Sequence, residues 1–249
     1  MNIKTILVSQ PKPEGDKSPY FDLAEKYKLK IDFRPFIQVE GLNAQEFRLQ
    51  RLQLSDFSAV IFTSKTAVDH YFRMADETRF TVPDTMKYFC VSEAIAYYLQ
   101  KYVQYRKRKI FFGKQTVQDL ADLFKKHKGE RYLLPSSDIL REQIPVDLEK
   151  MKVPFTRANM YRTVAADLSD LDDVKYDMLV FFSPSGIESL MKNFPGFKQN
   201  DTRIAAFGAT TAKAVVDNNL RLDVHAPQPE TPSMTAAIEK FILDSKKKK

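Results

Sequence analysis

The sequence predicts an α/β fold in which two similar parallel-sheet domains are joined by a two-stranded hinge. A short apolar run, a hydroxyl-rich turn and a helical pattern follow one another at 60–68 and again at 180–187. A second matching pair follows in the same order, at 88–96 and 204–212. Short apolar strands that alternate with helices of about 10–15 residues are typical of parallel sheets. The two halves are therefore predicted to be two units of one kind.

The elements that support this fold class alternate along the whole chain. Short runs of β-branched and aromatic residues predict strands at 3–9, 30–39, 59–63, 87–91, 109–112, 131–134, 153–164, 177–182, 203–207 and 223–226. Apolar residues spaced three and four apart, such as Leu120, Leu123 and Phe124, indicate one buried helix face. This spacing predicts helices at 19–28, 43–52, 67–74, 93–101, 117–126, 140–150, 185–192, 209–218 and 233–245.

The positions of the strands divide the chain into two domains. The segment 42–160 contains five predicted strands, and the two chain ends together supply five more. We therefore predict a continuous flavodoxin-like domain at 42–160 and a discontinuous one formed by 1–36 and 167–249. The linkers 37–41 and 161–166 would run side by side as a hinge. Because ligands bind outside the carboxyl ends of strands and at domain junctions, the sequence predicts a site in the interdomain cleft.

Composition narrows the class of protein. The 249 residues are 43% hydrophobic and include only 7 glycines, which favours a packed core over disorder. No stretch approaches the roughly 20 apolar residues of a membrane helix, and the N-terminus turns polar too soon for a signal peptide. The single cysteine, Cys90, allows no internal disulfide and is interpreted as a core residue. We expect a cytoplasmic monomer without a membrane partner.

Basic residues are concentrated in the middle of the chain. The segment 40–165 contains 21 Lys and Arg against 15 Asp and Glu, and the whole chain has a net charge of +7. This distribution favours an anionic ligand that is bound mainly by one domain. The basic runs at 106–109 and 125–128 lie near several tyrosines, a combination that could bind nucleic acid. We interpret them as surface decoration and expect no nucleic-acid partner.

Motifs of metal and cofactor chemistry are missing from the sequence. His70, His127 and His225 lie far apart, and no Cys/His or Asp/Glu spacing matches a metal-ligand set. There is no Gly-rich nucleotide loop, no Walker sequence and no Gly-x-Ser-x-Gly elbow. We therefore expect no metal and no cofactor, and a structural or surface role for each histidine.

Small hydroxyl residues follow four predicted strands and precede predicted helices. A serine or threonine at a helix start caps free backbone N–H groups, and this role alone explains any one of them. The same N–H groups and the helix dipole also bind carboxylates and phosphates. Because four such turns recur in two repeated units, they are candidate anion sites: 63–64, 136–137, 183–186 and 208–211.

Three ordered motifs resemble those of the uroporphyrinogen-III synthase family. They are Val-Ile-Phe-Thr-Ser-Lys-Thr-Ala-Val at 60–68, Tyr-Arg-Thr at 161–163 and Gly-Ala-Thr-Thr-Ala at 208–212, and their order and spacing cover nearly the whole chain. The resemblance implies two α/β domains with a two-stranded linker. It also implies a cofactor-independent lyase that closes hydroxymethylbilane, a linear tetrapyrrole with eight carboxylates. The product is uroporphyrinogen III, formed with loss of water and inversion of ring D.

The resemblance assigns roles to individual residues. Tyr161 matches a tyrosine near the cleft and is expected to donate a hydrogen bond to the departing hydroxyl; its other interpretation is a linker tyrosine packed at the domain junction. The residues expected to bind substrate carboxylates are Thr63, Ser64, Ser92, Ser136, Ser183, Ser185, Gly186, Gly208, Thr210 and Thr211. Two positions depart from the family. Gln10 stands where an Arg precedes proline, and Ile95 echoes Thr211, so that turn depends on Ser92 or on backbone.

A non-catalytic interpretation stays open beside the enzymatic one. Two-lobed α/β proteins with a hinge also serve as sensors, and a fold alone does not separate the two. The alternative is a binding or regulatory module for a small anionic ligand. Turnover of a tetrapyrrole precursor, as opposed to binding alone, distinguishes them.

Overall fold

The computed structural model describes residues 3–15, 17–139, 143–171 and 174–247. Within these ranges the strands are β1 (Thr5–Val8), β2 (Lys30–Phe33), β3 (Ile37–Gly41), β4 (Ala59–Phe62), β5 (Lys87–Cys90), β6 (Ile110–Phe112), β7 (Tyr132–Ser137), β8 (Phe155–Ala165), β9 (Met178–Phe181), β10 (Arg203–Phe207) and β11 (Val224–Ala226). The helices are α1 (Pro19–Tyr27), α2 (Ala44–Arg48), α3 (Lys65–Glu77), α4 (Glu93–Tyr98), α5 (Ala121–Lys126), α6 (Gln143–Lys150), α7 (Pro184–Asn193), α8 (Ala209–Asp217) and α9 (Met234–Lys247).

Contacts between residues divide the chain into two compact units. Unit 1 consists of Met1–Gln38 and Val164–Lys249, and unit 2 of Val39–Thr163. Strand β3 coincides with the predicted linker 37–41, and β8 continues through 161–165 of the predicted linker 161–166. Where the linkers begin and end therefore stays a prediction.

Unit 1 is built on a five-stranded sheet with the spatial order β11-β10-β9-β1-β2. All four neighbouring pairs are parallel. Numbered along the chain within the unit, this is the order 2-1-3-4-5 of flavodoxin. One apolar cluster includes Ile238 of α9 and lies against Ile6 of the sheet, while another includes Ile187 of α7 and Leu7. The sheet is thus covered on both faces, as parallel sheets require.

Unit 2 contains a six-stranded sheet with the order β3-β8-β7-β4-β5-β6. The pairs from β8 to β6 are parallel. Without the edge strand β3, and with β4 numbered as strand 1, the spatial order of this sheet is 3-2-1-4-5. The sheet of unit 1 has the same order when β9 is numbered as strand 1 and the count continues from β11 to β1 and β2. Strands β4 and β5 therefore correspond to β9 and β10, which are the strands paired by the sequence repeat. The predicted class, two α/β domains with parallel sheets, is confirmed.

Several predicted boundaries are wrong for local reasons. The extended segment 30–39 breaks after Phe33, where Pro35 lacks the N–H that a ladder needs. Helix α2 is shorter than predicted and is followed by Arg51 at a positive φ of 56°. The helix predicted over 93–101 changes after Tyr98 into a 3₁₀ turn, Leu99–Lys101. Strand β7 runs three residues past its predicted end, and the predicted helix start at 140–142 lies outside the described residues.

Cys90 lies in the core, as predicted from its apolar strand. Its side chain is fully buried in β5, and burial raises the pKa of the thiol to about 12. A thiol with so high a pKa carries little thiolate at neutral pH. Cys90 is therefore a packing residue and not a nucleophile.

Candidate functional site

The strand order places one topological switch point in each unit. In unit 2 the switch point lies between β4 and β7, because the chain continues from β4 to its neighbour β5 and β7 lies on the other side of β4. In unit 1 the switch point lies between β9 and β1. Ligands of open α/β sheets bind outside the carboxyl ends of the strands at such points. The turns after β4, β7, β9 and β1 are therefore the first places to look for binding residues.

Ser64 follows β4 at the switch point of unit 2 and begins α3. Its side chain accepts a hydrogen bond from the backbone N–H of Ala67 at 3.0 Å, so the expected capping role is present. Ser64 and its neighbour Thr63 are both half-buried. Because Ser64 Oγ accepts this bond, its own proton is free to be donated to another group.

Tyr161 lies at the same end of the sheet, opposite the last residue of β7. In the β7–β8 register, Ser136 lies opposite Asn159 and Ser137 lies opposite Tyr161, so Met160 is the extra residue of a β-bulge in β8. Bulges bend the strand and re-aim the side chain that follows. Burial raises the pKa of the Tyr161 phenol, and a hydrogen bond with the Ser64 side chain opposes the rise. At neutral pH the phenol therefore keeps its proton and can donate it to a hydrogen bond.

A histidine that the sequence analysis assigned a structural or surface role lies against this tyrosine. The rings of His70 and Tyr161 are stacked, with centroids 4.8 Å apart and an interplanar angle of 19°. His70 is on α3, six residues after its cap Ser64. The Nε of Arg73 donates to His70 Nδ1 at 3.1 Å. The sequence signals only the contact between His70 and Arg73, because residues three apart lie on one helix face.

The prediction that Ser136 lies in a turn before a helix is wrong. Ser136 is inside β7 and is 1% exposed. Its hydroxyl accepts from Arg157 Nε at 3.0 Å and lies 3.3 Å from Asn159 Oδ1. Arg157 also donates to the carbonyls of Ser137 and Asp138, at 2.6 and 2.7 Å. The cation at the end of β7 is thus Arg157, and the buried hydroxyl serves to hold it.

Ser92 and Ile95 begin the helix that follows β5. Ser92 stands at the N-cap of α4, but its side chain makes no capping hydrogen bond. Ile95 is buried and belongs to the core of unit 2. Ser92 is half-buried at the carboxyl end of the strand, which leaves its hydroxyl available for a ligand.

The turn after β9 forms the equivalent region of unit 1. Ser183 caps α7 by accepting from the N–H of Gly186 at 3.2 Å. Gly186 is closely surrounded: an added Cβ would lie 3.2 Å from the Phe181 ring and 3.8 Å from Ser9 Oγ. The structure therefore brings Ser183, Gly186 and Ser9 together at the switch point, with the half-buried Ser185 in the first turn of α7.

The turn after β10 contains three further candidates. Gly208 precedes α8 with a φ of +86°, a backbone conformation that favours glycine. Its N–H donates to Ala226 O at 2.6 Å. Thr210 is exposed in the first turn of α8, whereas Thr211 is 1% exposed. Of the two threonines, Thr210 is the one whose side chain faces solvent.

Among the residues that the structure describes, no three His, Cys, Asp or Glu side chains are grouped so as to hold a metal ion. Within the same ranges, no helix has the length and apolarity that a membrane span needs.

Comparison with known proteins connects this geometry to a family. The family model described as uroporphyrinogen-III synthase HemD matches residues 19–236. The chain belongs to the uroporphyrinogen-III synthase family. Members of this family are enzymes of tetrapyrrole synthesis, and the resemblance inferred from the three sequence motifs is confirmed.

Individual relatives of the uroporphyrinogen-III synthase family show how far the similarity extends. The chain is 22% identical to the uroporphyrinogen-III synthase of Chlorobaculum parvum over 95% of this chain and 98% of that one. It is 28% identical to that of Saccharomyces cerevisiae, over 50% of each chain. The crystal structure of uroporphyrinogen-III synthetase from Helicobacter pylori matches with a TM-score of 0.56 and 18% identity, covering 96% of this chain and 98% of that one. The likeness to that structure concerns the fold.

We predict that Ser64→Ala destabilises unit 2 by about 1 kcal/mol, because it removes the side-chain cap of α3. Denaturant unfolding followed by circular dichroism measures the loss. Ser92→Ala is the matched control, since Ser92 occupies the same cap position of α4 without a capping hydrogen bond. Equal effects of the two substitutions would contradict the capping role of Ser64.

Proposed function

We propose that this protein converts hydroxymethylbilane into uroporphyrinogen III, with loss of water and inversion of ring D. The observation that carries the proposal is the position of Tyr161 opposite the last residue of β7 and stacked on His70, at the switch point of unit 2 in a chain of this family. Because the proposed reaction releases water as it closes the ring, the protein would be a cyclising hydro-lyase, and the proposed reaction uses no metal or cofactor.

The first step is the departure of the substrate hydroxyl. Its carbon–oxygen bond breaks, the oxygen leaves as water, and an electrophilic azafulvene remains once a pyrrole N–H proton is lost. The Tyr161 hydroxyl donates a hydrogen bond to the departing oxygen. The Ser64 side chain, whose Oγ accepts from the Ala67 N–H, opposes the rise in the pKa of this phenol that burial causes.

The second step decides which isomer forms. Ring D attacks through its substituted carbon, and the resulting spiro intermediate fragments and recloses with ring D inverted. Without a protein, simple closure to isomer I competes. The contribution of the protein is therefore to hold the chain folded so that the inverted closure is faster, which is an effect of orientation.

Turn residues of both units are proposed to bind the substrate carboxylates. In unit 2 these are Thr63, Ser64, Ser92 and Ser136, and the exposed residue Arg157 adds a cation that the sequence motifs do not mark. In unit 1 they are Ser183, Ser185, Gly186, Gly208, Thr210 and Thr211. Helix N-termini favour anions because their N–H groups are unpaired and the dipole is positive there. Ser136 and Thr211 are the weakest members of this set, because both are buried.

A coupled assay tests the proposed function. Hydroxymethylbilane is generated in situ, the purified protein is added without metal, and the oxidised uroporphyrin isomers are separated. We expect isomer III to predominate over isomer I. Isomer I at the level without protein, from a protein shown to be folded, would contradict the proposal and leave a binding module as the better interpretation.

A further inference from the structure

His70 is held in one tautomer by the protein itself. An arginine Nε–H can only donate, so the His70 Nδ1 that accepts from Arg73 Nε at 3.1 Å is unprotonated. Burial lowers the pKa of His70, and the charge of Arg73 lowers it further. Asp69 and Glu77, on the same helix, act in the opposite direction. The imidazole is therefore neutral at neutral pH, with its proton on Nε2.

Arg73 is fixed by contacts on two other segments. Its guanidinium donates to the carbonyls of Leu42 and Met160, at 2.8 and 3.0 Å, and pairs with Glu77. Met160 is the extra residue of the β-bulge in β8 and comes directly before Tyr161. The same side chain thus supports the backbone next to Tyr161 and sets the tautomer of the imidazole stacked on it.

The Nε2–H of His70 has no acceptor among the described residues. The ring is only partly buried, and its sole hydrogen bond in those ranges is made by Nδ1. Tyr161 carries a second neutral donor, and its ring is stacked on that of His70 with centroids 4.8 Å apart. The protein therefore stacks two side chains that each carry an uncharged donor, and it leaves the histidine donor unused.

We propose that His70 is a second hydrogen-bond donor of this site, which donates from Nε2 to an oxygen of the bound substrate next to the Tyr161 hydroxyl. Arg73 is its positioning residue. The inference rests on the proposed function and adds to it a residue that the family motifs do not mark. Two oxygens fit this chemistry, a substrate carboxylate and the departing hydroxyl.

Two substitutions separate the donor from the ring. His70→Phe keeps a ring stacked on Tyr161 and removes the donor, whereas His70→Gln keeps an Nε2 donor and removes the ring. If Nε2–H binds the substrate, His70→Phe lowers kcat/KM about 10- to 100-fold, as expected when a hydrogen bond to an oxygen with a full or developing negative charge is lost. His70→Gln lowers it less than about 3-fold. His70→Met repeats the loss of the donor should the phenylalanine variant not fold.

The kinetic constants identify the oxygen. A rise in KM with kcat unchanged assigns the donor to a carboxylate, and an equal fall in kcat and kcat/KM assigns it to the departing hydroxyl. Unchanged kinetics of His70→Phe, or equal losses in the phenylalanine and glutamine variants, overturn the inference. An active wild type with those results leaves the proposed function intact, whereas a wild type that forms no isomer III overturns both.

Discussion

Tyr161→Phe is expected to lower kcat for isomer III about 10- to 100-fold while the protein stays folded. The substitution removes only the hydroxyl, so the donor to the departing oxygen is lost and the ring can still stack on His70. Because spontaneous closure then competes with a slower enzymatic reaction, the fraction of isomer I rises. The assay measures both the rate of porphyrinogen formation and the isomer ratio.

Tyr97→Phe is the matched control for this change. Tyr97 is 75% exposed on α4, so the same hydroxyl is removed where it has no proposed contact with substrate. We expect wild-type kinetics from this variant. Wild-type kcat and isomer ratio in Tyr161→Phe, with an unchanged circular dichroism spectrum, would remove the assigned role and leave Tyr161 as a linker tyrosine that packs in the protein.

The α/β class was predictable because strand runs in parallel sheets are buried on both faces and leave a strong pattern. β4 and β9 are fully buried, and their apolar runs are the ones that repeat in the sequence. Cooperative detail was not predictable. The end of β7 is an example: serines are typical of turns, yet Ser136 continues the strand because Arg157 and Asn159 satisfy its hydroxyl.

The candidate site was predictable in part for a related reason. Ser64 and Ser183 precede helices, and capping is a local interaction that the sequence contains in full. The stacking of His70 on Tyr161 joins residues that are 91 positions apart, and it depends on a bulge at Met160 that no local pattern marks. The histidine is informative only after the fold has brought β8 next to α3, which is why single-sequence reasoning assigned it a surface or structural role.

The repeat also bears on what each unit contributes. Apart from the edge strand β3, both sheets have the same spatial order. Within the described residues, only unit 2 has a stacked tyrosine–histidine pair at its switch point, whereas unit 1 has the turn formed by Ser9, Ser183 and Gly186. Small capping residues suit the binding of carboxylates, whereas a protonated phenol suits a leaving oxygen. The two units thus differ in the side chains near their switch points, and the proposed departure of the substrate hydroxyl is assigned to unit 2.

Phe89→Ala is expected to destabilise unit 2 by about 3–5 kcal/mol, the usual cost of removing a buried aromatic ring. Phe89 is fully buried in β5, between β4 and β6. Its ring lies within 5.5 Å, centroid to centroid, of four others: Phe111, Phe124, His127 and Tyr132. Because single domains are stable by only about 5–15 kcal/mol, this loss is a large part of the total. Denaturant unfolding and hydrogen exchange measure it.

The location of the loss is as informative as its size. The core of unit 2 contains Phe89, and the two apolar clusters of unit 1 are made of other residues. We therefore expect faster amide exchange in β4, β5 and β7 and unchanged exchange in β1, β9 and β10. Phe112→Ala, at a position that is 39% exposed on the edge strand β6, is the matched control and should cost less than about 1 kcal/mol. A Phe89→Ala variant no less stable than this control would contradict the central position of Phe89 in the core, and equal deprotection of both units would show that they unfold as one.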